Sequence, residues 1–208
     1  MARRTKEEAE KTRAEIVKTS LDLFCEKGYS KTTFDEIAKR INRTKGAVYW
    51  HFRNKPDLLI ALIKDTVTQT HLAINQKVPC IKNINDLKEY FLYNAQLIKN
   101  NQELRKFMFF ALYQMEWSEN IFKKVKKSLE DIIDIPPKRI KETLTLAKKN
   151  GEISANTNIE EISEMFFCFW KGAVGKEIMN TNTFDSPDFI ALVSKGFETI
   201  IGSLKEER

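Results

Sequence analysis

In TTFDEIAKRINRTKG, residues 32 to 46, two helix-start signals stand so close together that any helix between them must be short. Thr33-Phe34-Asp35-Glu36 is a capping box, with the Thr33 hydroxyl accepting from the Glu36 amide and the Glu36 side chain returning to Thr33. A helix therefore starts at Phe34. Asn42 tolerates the left-handed backbone of a tight turn, and Thr44 is a ready N-cap for the next helix. The spacing predicts two short helices, the first running to about Arg40, joined by three residues.

Phe34, Ile37, Ala38, Ile41 and Val48 fall where two such helices would bury their crossing, and Ala38 is small enough for close approach. This is the helix-turn-helix pattern. Its second helix enters the major groove and presents its N-terminal residues, here Thr44, Lys45, Gly46 and Ala47, to base edges. Charge agrees. Residues 1–60 carry 14 Lys+Arg against 9 Asp+Glu and residues 61–208 carry 21 against 20, so the net +6 is concentrated where a polyanion would be met.

The rest of the chain also reads as helix. Residues 6–27 place Ile16, Ser20, Leu23 and Phe24 on one face, and Gly28 ends the pattern. Asn54 with Asp57 caps a long helix that Pro79 closes. Further helices are predicted near 84–99, 102–117, 119–133, 137–149, 158–180 and 187–204, the last with Ser186 as N-cap and Pro187 as first residue. Pro136-Pro137 predicts a break between residues 133 and 137. No segment alternates as a strand does, so the fold class is all-α, with about nine to ten helices.

Composition excludes several functions. With 42% hydrophobic residues, 31% charged, 7 Gly and 5 Pro, the chain is that of a folded soluble protein. Cys25, Cys80 and Cys168 are scattered, and His51 and His71 have no partner at ligand spacing, so neither a disulfide framework, a metal site nor a cofactor is expected. MARRTKEEAEKTR lacks an export signal and the longest apolar run, MFFCFW, cannot span a bilayer, which points to the cytoplasm and no membrane partner. There is no Gly-rich phosphate loop or nucleophile elbow, so the chain is not expected to be an enzyme.

TTFDEIAKRINRTKGAVYWHFRNKPDLL resembles the DNA-binding signature of the tetracycline-repressor (TetR/AcrR) family, and MARRTKEEAEKTRAEIVKTSLDLFCEKG resembles its efflux-pump repressor branch. The likeness is dense over residues 3–62 and weaker at RIKETLTLAKKNGEI. It implies a helix-turn-helix DNA-binding domain, residues 1–53, followed by a helical effector-binding and dimerisation domain, residues 54–208. The partners it implies are a palindromic double-stranded operator, a small hydrophobic or amphipathic effector, and a second copy of the chain. Asn42 and Arg43 replace the glycine and aliphatic residue usual in the family's turn. Arg43 thereby sets a charge beside the groove.

The same resemblance places the Tyr49 hydroxyl on a phosphate, where it positions rather than specifies. Lys55, at a helix N-terminus, is expected to hold a second phosphate, and Thr32 and Thr33 a third, Thr33 having capping as an equal alternative. Gly46 either is a tolerated imperfection or lets backbone approach DNA. Trp50 either faces DNA or seals the domain edge, His51 is expected at a phosphate or base, and Phe52 in the core.

Two aromatic clusters follow, Phe107 to Trp117 and Met165 to Trp170. Most such side chains are packing. Their number also suits a pocket for a hydrophobic ligand, with Ile63, Val67, Phe107, Phe110, Gln114, Trp117, Phe166 and Trp170 as candidate lining. Gly172 and Gly175, with Phe197 of the last helix, suit either a four-helix dimer interface or packing within one chain. A DNA-binding architectural or division-control protein without an effector is the competing function.

Overall fold

The computed structural model describes residues 6–129, 136–179 and 188–205. Among these residues every regular element is helical: α1 (Lys6–Lys27), α2 (Phe34–Arg40), α3 (Lys45–His51), α4 (Lys55–Lys77), α5 (Ile84–Asn100), α6 (Gln102–Phe109), α7 (Glu119–Leu129), α8 (Pro136–Lys149), α9 (Ile159–Met179) and α10 (Phe189–Gly202). The chain divides into two compact units, residues 1–69 with 106–132 and residues 70–105 with 133–208.

In the first unit, both expected caps form. The Thr33 hydroxyl accepts from the Glu36 amide and the Glu36 carboxylate accepts from the Thr33 amide, while the Thr44 hydroxyl accepts from the Ala47 amide. Asn42 is left-handed, with φ 52°, and lets the chain turn so that the Arg43 amide donates to the Ala38 carbonyl at 2.8 Å. Ile37, Ala38 and Val48 are buried at the α2–α3 crossing, and Phe52 lies in the core as expected. Phe24 of α1 meets the Tyr29 ring edge-on and stacks on Phe110, both with centroids 5.3 Å apart. Arg13 ties α1 to α4 through Asp65 at 2.9 Å, a pair about one-third exposed and worth about 1 kcal/mol at most.

The helix expected over 102–117 stops early. After α6 the backbone opens into a π-helical turn, Phe110–Gln114, in which the Met115 amide reaches back to the Phe110 carbonyl at 2.8 Å. Two tertiary contacts and one local one accompany the change: Phe110 is sunk against Phe24, the Gln114 side-chain amide donates to the Cys25 carbonyl, and within the segment the Trp117 indole N–H donates to the Ala111 carbonyl. These polar contacts occupy the segment that would otherwise continue the helix.

The second unit is centred on Phe91, which stacks on Phe166 and also meets Trp170 and Phe197. Leu87, Ile140, Leu144 and Val193 fill the core around it. α10 presents bare backbone to the Phe169 ring at Gly196, where a Cβ would stand 2.0 Å from the ring and force it to move. Asp188 caps α10 through the Ile190 amide. The predicted Ser186–Pro187 start and most of the predicted 133–137 break lie outside the described residues.

Candidate nucleic-acid interface

The recognition-helix candidates divide cleanly by exposure. Arg43, Thr44, Lys45 and Gly46 at the start of α3 are exposed, and Ala47 is half-buried. Tyr49 is 51% and Trp50 72% exposed, whereas Val48 just before them is fully buried. Short as it is, α3 keeps its own anchoring side chain inside and turns two large rings outward. A Cβ on Gly46 would meet only the Thr44 hydroxyl, at 3.8 Å. Nothing among the described residues demands glycine there.

A groove of about 350 Å³ opens between the N-terminus of α2, α3 and the N-terminus of α4, lined by Thr33, Asp35, Lys45, Tyr49, Arg53 and Lys55. Lys45 pairs with Asp35 at 2.7 Å and lies 6.0 Å from the Tyr49 ring centre, and that ring meets Phe34 edge-on at 5.0 Å. The carboxylate raises the Lys45 pKa above its ordinary value, chiefly by hydrogen bonding, so the ammonium stays charged. Glu36, just behind, is held down to about 2 by Lys27 and by the Thr33 hydroxyl and amide.

Two expected anion ligands are engaged elsewhere. Thr32 is 1% exposed, and its hydroxyl donates inward to the Gly28 carbonyl at 2.9 Å and also to the Leu23 carbonyl. Lys55 spends its ammonium on the carbonyls of Tyr29 and Ser30 at 2.8 Å and of Thr32 at 3.1 Å. Burial pushes its pKa down, with Glu116 opposing. In this geometry Lys55 contributes charge to the groove but has no spare N–H. His51 is half-buried between Trp50 and Phe52.

Two residues of this region escaped the sequence reading. Asp35 reads as a first-turn acid of α2, and its second role depends on a fold that brings Lys45 to it. Ser30, in the link after α1, donates to the Glu116 carboxylate at 2.8 Å, a pairing across 86 positions that leaves no local signal.

The candidate ligand residues belong to different units. Ile63, Val67, Phe107, Phe110, Gln114 and Trp117 are in the first, and Phe166 and Trp170 are in the second. Phe110 and Phe166 are each 1% exposed and packed on Phe24 and Phe91. Ile63 and Phe107 are buried, whereas Trp117 is 40% exposed and meets Phe122. Of the candidate dimer residues, Phe197 is buried against Phe91 and Phe166, Gly175 is buried, and Gly172 is exposed with open space around its backbone.

Residues 16–62 match the profile of the bacterial regulatory proteins, tetR family. Across nearly the whole chain, 99% of it and 97% of the relative, the sequence is 26% identical to the probable HTH-type transcriptional regulator ArpR of Pseudomonas putida. It is also 26% identical to the probable acrEF/envCD operon repressor of Escherichia coli K12, over 89% of this chain and 84% of that one. The fold resembles that of SmeT in its complex with triclosan, with a TM-score of 0.75 and 18% identity over 94% of this chain and 92% of the other.

Proposed function

The chain belongs to the TetR family of bacterial regulatory proteins, and from that premise we propose that it is a ligand-responsive transcriptional repressor acting in the cytoplasm. It binds a palindromic operator as a homodimer and is released by a small hydrophobic or amphipathic effector, in control of a multidrug efflux pump. The observation that carries this reading is α3: a buried Val48 anchors it while Arg43, Lys45, Gly46, Tyr49 and Trp50 stand outward. Arg43 to Ala47 face base edges, and Tyr49 meets a phosphate. The repressor assignment draws on the probable acrEF/envCD operon repressor, the efflux assignment on the resemblance of the N-terminal sequence, and the effector class on the triclosan complex of a protein of like fold.

Residues 1–53 form the DNA-binding domain, and residues 54–208 hold the effector and the dimer contact. The effector candidates are Ile63, Val67, Phe107, Phe110, Gln114 and Trp117 in the first unit and, taken separately, Phe166 and Trp170 in the second; the dimer candidates are Gly172, Gly175 and Phe197. Selection from a random duplex pool tests the reading. An enriched inverted repeat supports it, and a pool that enriches nothing overturns it.

Burial of Phe110 and Phe166 in the two cores favours a second reading, a DNA-binding architectural or division-control protein with no effector. A thermal-shift screen with hydrophobic cations, dyes and bile-acid-like compounds separates the two. Stabilisation by any of them follows from a ligand-binding native state, and a flat screen favours the second reading.

A further inference from the structure

Asp35 is a carboxylate in a groove that otherwise gathers cations, Lys45, Arg53 and Lys55, at the face assigned to DNA. Left alone, an exposed carboxylate there would repel phosphate, and an exposed lysine beside it would take any phosphate within reach of its flexible stem. The two are 2.7 Å apart instead, each half-exposed. Asp35 sits in the first turn of α2 and Lys45 in the first turn of α3, so the pair bridges the two helices of the motif at the end that meets DNA. Lys45 is further confined by the Tyr49 ring, itself held edge-on by Phe34.

Resting on the DNA-binding reading above, we propose that Asp35 is a specificity-determining residue of the interface. It cancels the charge that Lys45 would offer to any phosphate and fixes where the ammonium stands. As an acceptor-only group it also penalises every register that brings a phosphate to it. A base-edge amino group, such as that of cytosine, can be accommodated in its place. Asp35 thus weakens binding to all duplexes and weakens it least on the correct one.

Salt titrations of full-length wild type, Asp35→Asn and Asp35→Glu test this, using the duplex enriched by wild type and a scrambled duplex of equal composition. Asp35→Asn should bind the scrambled duplex more tightly, with a log–log salt slope steeper by about 0.9 as one more phosphate is neutralised. Its preference for the selected duplex should fall roughly tenfold, the scale of one mismatched position. Asp35→Glu should restore much of that preference, and in a Lys45→Gln background Asp35→Asn should no longer steepen the slope. Unchanged preference and slope in Asp35→Asn overturn the proposal. So does a parallel loss on both duplexes accompanied by a lowered Tm, the signature of a purely structural pair. If wild type selects no duplex, the regulator reading fails and this inference with it; if wild type selects and Asp35→Asn behaves as wild type, only this inference fails.

Discussion

The Lys55 ammonium lies 4.8 Å from the centre of the Tyr29 ring and donates to the Tyr29 carbonyl at 2.8 Å. With its further bonds to Ser30 and Thr32, it pins the link between α1 and α2 to the start of α4. Lys55→Met keeps the stem and removes all three donors. It should destabilise the chain by about 1–3 kcal/mol, the cost of leaving partly buried carbonyls without a charged donor. The urea midpoint measures it, and a shift near zero would mean that water replaces the ammonium freely.

Tyr29 itself is 7% exposed, and its buried hydroxyl finds no hydrogen-bond partner among the described residues. Burial raises its pKa from 10.0 to about 12. Between those values the folded protein holds a proton that the unfolded chain has lost, so stability falls as pH rises through that window. Tyr29→Phe should leave the Tm at pH 7 unchanged or slightly raised and flatten the alkaline decline. Thermal melts from pH 8 to pH 12 give the comparison.

Glu36 carries the opposite signature. Its folded pKa of about 2 lies below the ordinary 4.5, set first by Lys27 and then by the Thr33 hydroxyl and amide. Its contribution is therefore present above pH 4.5 and is lost as pH falls toward 2. Glu36→Gln should blunt the acid dependence of the melt in that range. Thr33→Ala, removing the cap, should cost about 1 kcal/mol even at neutral pH.

Phe24 is fully buried between Tyr29 and Phe110. Phe24→Ala should cost about 3–5 kcal/mol in chemical denaturation, since both neighbouring rings lose their partner. Phe24→Leu, which keeps most of the volume, should cost less than half of that.

The motif was legible because its signals are local. The capping box, Asn42 and Thr44 each act within four residues, and the structure places both short helices where those signals put them. The π-helical turn at Phe110–Gln114 was not legible, because it depends on Phe24, Cys25 and a tryptophan beyond the helix end, none of which the periodicity of that segment registers. Lys55 and Thr32 illustrate the same limit at the candidate interface. Their residue types suit a phosphate, but only the fold reveals that carbonyls of the α1–α2 region have taken their donors. Residue type indicates what a side chain can bind, and tertiary contact decides what it does bind.

A regulator whose exposed α3 face reads base sequence must prefer one duplex over another of equal composition. Titration of the full chain against the enriched palindrome and a scrambled duplex at physiological salt measures that preference. The expected dissociation constant is roughly 10⁻⁸ to 10⁻¹¹ M for the palindrome, at least about 10³-fold tighter than for the scrambled duplex, with a steep salt dependence. Equal affinity for the two duplexes would mean that α3 does not read sequence.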